Sequence, residues 1–237
     1  MQRLLILFLL LFRTAGTEAQ TFVETNAIYP VNLDGNKYVV SGFTSFEALK
    51  DETIFANALL WTVENVCPKL QEGITRVDVP GKSFTCDFIL NSFAGSSLQN
   101  VYYCRAVFRV ADGKLVYYLS DVLIESASFV MKKVTPLDKL NPGKKASHKQ
   151  TMDDFIQTES LVLNKMFDFI ASNQLSNITH WKEIGLRKPV EGMNEDECRL
   201  AFGKPQTVLE ANGEIQWMYS SSFHLFFKDG RVCTILK

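Results

Sequence analysis

The chain has 237 residues, 46% hydrophobic and 22% charged, with a formal net charge of −1. This balance excludes a disordered chain, a collagen-like repeat and a multispanning membrane protein, and the lack of a basic excess argues against nucleic acid as a partner. The length accommodates one large domain or two small ones with cores of their own.

Met1-Gln2-Arg3 is followed by nine unbroken apolar residues, Leu4 to Phe12, and then by a polar stretch that ends in small residues at Thr17 and Ala19. The pattern predicts a secretory signal over 1–19, cleaved after Ala19. Nine residues reach about 14 Å as a helix against roughly 30 Å of hydrocarbon, so a membrane anchor is the poorer reading. No cysteine sits at the cleavage point to carry a lipid, and the expected location is periplasmic or secreted. All five cysteines (Cys67, Cys86, Cys104, Cys198 and Cys233) follow the leader, where export permits disulfides. The odd number leaves at least one outside any intramolecular pairing, and no C-x-x-C occurs.

Asp34-Gly35, between Tyr29-Pro30-Val31 and Tyr38-Val39-Val40, predicts a hairpin with strands near 28–33 and 37–43. Ser45 to Val66 carries Ile54, Ala58, Trp61 and Val66 at helical spacing, which predicts a helix with one buried stripe, ended at Cys67-Pro68. From Ile74 to Ser126 the pattern turns β. Strands are expected over 74–79, 84–90, 101–110 and 115–124, as an antiparallel meander whose last turn is Asp112-Gly113. A two-residue turn there sets Val110 opposite Leu115. A hairpin centred on Gly95 sets Cys86 opposite Cys104, where a disulfide could form; the plainer alternative is two buried thiols on one face.

Lys132 to Gln150, with Pro136, Pro142, Gly143 and six lysines, reads as a solvated connector. Thr151 is the expected cap of a second long helix to Asn173, with Asp154 supporting its first turn. Met152, Phe155, Ile156, Leu163, Met166, Phe167 and Ile170 give that helix a broad apolar face to cover a sheet or to wall a lipid pocket. Asn194 followed by Glu197 is an asparagine version of the capping box, and Gly203 with Pro205 ends that short helix. Three strands are expected over 215–219, 223–227 and 232–236, the last two joined at Asp229-Gly230.

Tyr29-Pro30-Val31-Asn32-Leu33-Asp34-Gly35 and Ala58-Leu59-Leu60-Trp61, in the order hairpin, helix, antiparallel strands and long helix, resemble a secreted Bacteroidetes family of unknown function with a TBP-like, helix-grip arrangement. The resemblance spans 25–175 and implies fold and address, not activity. Gly192-Met193-Asn194, Phe202-Gly203-Lys204-Pro205, Trp217-Met218-Tyr219 and Phe227-Lys228-Asp229-Gly230-Arg231-Val232 resemble the BamE (SmpA/OmlA) type of envelope domain. That type implies a non-catalytic assembly partner, and related folds include secreted enzyme inhibitors. Cys198 stands where the family more often has valine.

The expected class is therefore α+β: a helix-grip domain over 20–175 and a BamE-like αβββ unit over 183–237. His148, His180 and His224 are not paired at metal-ligand spacing, and no H-E-x-x-H, G-x-S-x-G, P-loop or G-x-G-x-x-G is present. The acidic runs Asp153-Asp154 and Glu195-Asp196-Glu197 are accounted for by helix starts. Asn177-Ile178-Thr179 is a glycosylation sequon, relevant only to a eukaryotic secretory path. No catalytic, cofactor-binding or metal-ligating residue is assigned, and no cofactor is expected. The aromatic density of the last sheet points to a protein partner in the envelope, with Trp217, Tyr219, Phe226, Asp229 and Gly230 as contact residues. The alternatives are a hydrophobic-ligand or lipid carrier, with peripheral contact to a membrane, and an enzyme inhibitor or cysteine-dependent enzyme pairing Cys198 or Cys233 with His224.

Overall fold

The computed structural model describes residues 38–66, 73–93, 96, 98–126, 133–175, 177–211 and 213–237, plus the backbone pairing of Leu9–Leu10 with Phe22–Val23 and of Val31–Asn32. The signal sequence, the Asp34-Gly35 turn and Cys67-Pro68 otherwise lie outside the described residues. The strands are β1 (Val31–Asn32), β2 (Tyr38–Ser45), β3 (Ile74–Asp78), β4 (Ser83–Asn91), β5 (Asn100–Ala111), β6 (Lys114–Ser126) and β7 (Lys133–Pro136). They form one antiparallel sheet in the order β1-β2-β6-β5-β4-β3. β6 is long enough to be shared along one edge: β2 pairs Lys114 to Leu119, and β7 pairs Leu123 to Ser126. Between them the β5–β6 ladder shifts register between Tyr103 and Arg105, and Asp121 takes a positive φ of 53°. That bulge bends β6 where its partner changes.

The Asp112-Gly113 hairpin forms in the expected register, Val110 opposite Leu115. Both turn residues have positive φ (54° and 71°), as a two-residue turn joining right-twisted strands demands. Gly113 N also donates to Asp51 Oδ1 (2.8 Å), which ties the turn to the first helix. The β4–β5 ladder differs from expectation. Its registers, Cys86 with Ala106 and Phe88 with Cys104, centre the hairpin on Ser96 rather than Gly95. Moving the centre by one residue moves the pairing by two, so both cysteines keep the inner face but are no longer opposite, and the Cys86–Cys104 bridge is not made.

One face of the sheet is covered by helices α1 (Asp51–Asn65) and α2 (Ala146–Ser172). α1 begins six residues later than expected because Ser45 still belongs to β2. It also carries no single stripe: every residue from Ile54 to Val63 is buried. It lies against β5 and β6 and is flanked by α2 and by α4 (Glu195–Phe202), and a helix enclosed on all sides has no use for a polar face. Asn57, at 0% exposure, donates to the carbonyls of Ile170 (3.4 Å) and Asn173 (3.0 Å), satisfying the end of α2. The lysine-rich connector is more structured than expected. It holds β7 and a 3-10 turn (Leu137–Lys139), and α2 starts at Ala146. Thr151 is consequently no cap: it sits inside the helix with Oγ1 on Ser147 O (3.0 Å).

After α2 come α3 (Trp181–Leu186), α4 and four strands, β8 (Thr207–Ala211), β9 (Glu214–Met218), β10 (His224–Lys228) and β11 (Arg231–Leu236), hydrogen-bonded in sequence order. The three-stranded expectation omitted β8. The capping box at Asn194 and Glu197 and the positive φ of Gly203 (75°) are both present. Buried residues run continuously from the first sheet through α1 and α4 to Trp217, Leu225 and Val232, so both parts share a core.

Candidate interaction site

β9 and β10 decide what the last sheet offers. Trp217 pairs with Leu225, and both, with Phe227 and Val232, face inward and are buried. Trp217 packs on Phe227 at 4.7 Å, and Tyr219 packs on Phe202 of α4 at 5.6 Å and donates from its hydroxyl to Gly203 O (3.2 Å). Trp217 and Tyr219, which the sequence led us to expect as contact residues, are buried in the core. A sheet over a helix needs one aromatic face beneath, and strand alternation put them there. Phe226 is on the other face, in the row Leu209, Gln216, Phe226, Thr234. It is half-buried, while Leu209 and Leu236 on the same face are 50% and 51% exposed. Asp229 and Gly230 form the exposed tip of the β10–β11 hairpin, with φ of 51° and 71°. Of the five residues singled out, the structure brings Phe226, Asp229 and Gly230 to the surface.

The polar groups that sequence reasoning missed are mostly buried carboxylates. Glu64 on α1 accepts from Arg199 Nε (2.8 Å) and a terminal guanidinium nitrogen (3.1 Å), locking α4 to α1. Glu197, 0% exposed, receives Thr179 N (2.5 Å), Thr179 Oγ1 (2.9 Å) and His180 N (2.9 Å) on Oε1. Its Oε2 receives Asn194 N and lies beside His180 Nδ1, both at 2.8 Å. Burial alone would raise this carboxyl, but the backbone donors of Thr179, Asn194 and His180 prevail and hold it down at about 2. Glu159 on α2, 3% exposed, is the reverse. Among the described residues Oε2 accepts from Ser160 Oγ (3.2 Å) and Oε1 has no hydrogen-bond partner, and burial pushes the carboxyl up to about 7. It was legible: the stripe Met152, Phe155, Ile156, Leu163, Met166 calls for an apolar residue at 159.

Asp154, expected to serve a helix terminus, is instead 4% exposed and joins α2 to the β4–β5 connection. It accepts from Ser92 Oγ (2.7 Å), Ser96 Oγ and the Tyr102 hydroxyl. Burial first, and this carboxylate second, push the Tyr102 phenol far up, so it serves as a fixed donor. A cleft of about 210 Å³ opens beside it, lined by Phe93, Leu98, Gln150 and Gln157. A second of about 310 Å³ lies between the start of α1 and Leu175, Ile178 and Trp181. The sheet–helix interior itself is filled by Phe55, Phe84, Phe88, Phe108, Tyr102 and Phe155, each almost fully buried.

Burial drives the thiols of Cys104 and Cys198 strongly upward, the opposite of what a nucleophile needs. Cys233 is exposed, with Sγ 3.3 Å from Phe226 O. His224 bonds Gln216 Nε2 (2.7 Å) and approaches Ser221 O (3.3 Å), and among the described residues no cysteine hydrogen-bonds a histidine. His148 Nδ1 accepts from Asn141 N (2.8 Å). Among the described residues no three His, Cys, Asp or Glu side chains cluster to hold a metal, and no helix is long and apolar enough to cross a membrane.

A long helix packed on a seven-stranded antiparallel sheet, followed by helices and a four-stranded antiparallel sheet, defines an α+β protein whose larger part is TBP-like. That larger part is similar to the crystal structure of a TBP-like protein from Parabacteroides distasonis ATCC 8503, with TM-score 0.52 and 10% identity over 62% of this chain and 100% of that one. A DUF4468 family protein from Bacteroides ovatus ATCC 8483 aligns at TM-score 0.49 and 11% identity over 64% of this chain and 95% of that one. No family model and no curated protein sequence matches the chain.

Proposed function

We propose that the chain is a non-catalytic, exported envelope protein that binds another protein through the outer face of its last sheet. The observation that carries this reading is the pair Leu209 and Leu236, half in water on either side of Phe226 on a rigid face whose underside is packed aromatic core. Large aliphatic groups held in water by a stiff sheet are what a partner's apolar surface would cover. The exposed Asp229-Gly230 tip supplies a polar rim at one end. The BamE-like motifs belong to the same reading, supported by two helices leading into an antiparallel sheet; β8 departs from the expected αβββ order. Export rests on the leader over 1–19.

The test is site-specific photocrosslinking in the native envelope. A benzophenone side chain at Phe226 or Leu236 is expected to capture the same protein, and one at exposed Arg76 on β3 is not. Leu209→Lys should reduce the adduct at least tenfold while the far-UV spectrum is unchanged. Equal capture at Arg76, or no adduct at either sheet position, overturns the reading.

A further inference from the structure

β8 is the outermost strand of the last sheet and pairs on one side only, with β9. All five of its residues are exposed, Val208 at 53% and Leu209 at 50%. The opposite edge of the sheet is partly covered, since Gly192 N donates to Val232 O and Val232 N to Met193 O, both at 2.8 Å. Among the described residues β8 has no such cover. Thr207-Val208-Leu209-Glu210-Ala211 also has no proline, no lysine and no shift of register, the usual devices against edge-to-edge pairing.

Its hydrogen-bond parity is fixed by the hairpin it enters. Ala211 pairs with Glu214 across a two-residue turn whose Gly213 has φ of 79°, so Ala211 and, by alternation, Leu209 direct their backbone groups at β9. Val208 and Glu210 therefore turn their N–H and C=O groups outward. When two such strands meet antiparallel about Leu209, Val208 of each copy lies opposite Glu210 of the other, and outward groups meet outward groups. Each of these pairs exchanges two backbone hydrogen bonds. Leu209 meets Leu209 at the close, non-hydrogen-bonded position, Thr207 meets Ala211, and the two Glu210 carboxylates are never opposite one another. A shift by one residue would set outward groups against inward ones.

We propose that two copies of this chain associate by antiparallel pairing of their β8 strands about Leu209, joining two four-stranded sheets into one of eight. The two-fold axis stands perpendicular to the sheet, so the faces bearing Phe226 lie side by side on the same surface. The dimer goes beyond partner binding and does not depend on it.

Sedimentation of the full chain is expected to show a concentration-dependent dimer. Val208→Pro removes an outward N–H that β9 does not use, and is expected to weaken the dimer at least tenfold with the spectrum of the folded monomer retained. Leu209→Cys in a Cys233→Ser background should give a disulfide-linked dimer on mild oxidation, since identical residues face each other only at that position; Thr207→Cys in the same background should not. A chain that sediments as a monomer at tens of micromolar overturns the proposal. So does a dimer that Val208→Pro leaves intact and Leu209→Cys does not cross-link, because it then uses another surface. The Phe226 photoadduct is read separately on the Val208→Pro monomer, so failure of the dimer and failure of partner binding are distinguishable.

Discussion

Glu159 and Glu197 are the same residue type, both on helices and both withdrawn from water, yet they titrate in opposite directions. Glu197 sits where α3 and α4 begin, and the unsatisfied backbone donors of two helix entries converge on it. Glu159 sits mid-helix over a sheet, where backbone groups are already used within α2 and the facing ladder. Burial first, and its charge second, raise the affinity for a proton of its neighbours there, Cys104 on β5 and Tyr117 on β6. Burial is common to both sites. What differs is whether the fold supplies donors, and helix termini supply them where helix middles cannot. One carboxylate stabilises its region; the other is tolerated by it.

The largest expected effect removes the satisfied one. Glu197→Ala strands the N–H groups of Thr179, His180 and Asn194 and should cost about 3–5 kcal/mol in urea unfolding at pH 7. Because the folded carboxyl titrates at about 2, below its ordinary 4.5, its contribution is present above that ordinary value and is lost as pH falls toward 2. Wild-type stability should carry that acid slope and the variant should not. A variant costing under about 1 kcal/mol would break the comparison.

Glu159→Leu should do the opposite. With the folded carboxyl raised from 4.5 to about 7, its favourable contribution is complete below 4.5 and disappears as pH rises through 7. The variant is expected to match wild type within about 1 kcal/mol at pH 5 and to exceed it by roughly 3 kcal/mol at pH 8. Equal stabilities at pH 8 would mean that Glu159 finds a donor in solution.

The two sites also differ in how far the sequence discloses them. The capping box is a local spacing, Asn194 and Glu197 three apart, and local spacing survives into structure. The same holds for Asp112-Gly113 and Asp229-Gly230, whose turn chemistry fixes register without reference to anything distant. Asn212-Gly213 carries the same signal, and as a hairpin turn it places β8 directly before β9. The Cys86–Cys104 offset could not be read, because the eight residues between β4 and β5 leave the hairpin centre free by one residue. Nor could the turning of Trp217 and Tyr219 into the core. Both faces of β9 and β10 carry apolar groups, and which face meets α4 is a tertiary decision. The roles of Asp154 and Glu64 are not local either: the partners of Asp154 lie on another element, and Glu64 meets Arg199 135 residues away.

That long-range pair gives the third prediction. The Glu64 side chain is only 1% exposed and holds the guanidinium by two hydrogen bonds, so the pair couples the larger part to the smaller. A double-mutant cycle with Glu64→Gln and Arg199→Met should give a coupling of about 2 kcal/mol, smaller than the Glu197 effect because Arg199 is partly solvated. A coupling near zero would mean that apolar contact between α1 and α4 alone joins the two parts.

The smallest effect isolates which donors matter. Asn194→Ala deletes the acceptor for Glu197 N but leaves Asn194 N, which donates to Glu197 Oε2. The carboxylate keeps its convergent backbone donors, so its titration should stay near 2 while the protein loses about 1 kcal/mol, the cost of a lost cap. Carboxyl NMR of Glu197 against pH, read beside urea unfolding of the same variant, separates the two quantities. If the Glu197 titration moves up toward 4.5 in Asn194→Ala, the side-chain cap and not the backbone convergence is what sets this site apart from Glu159.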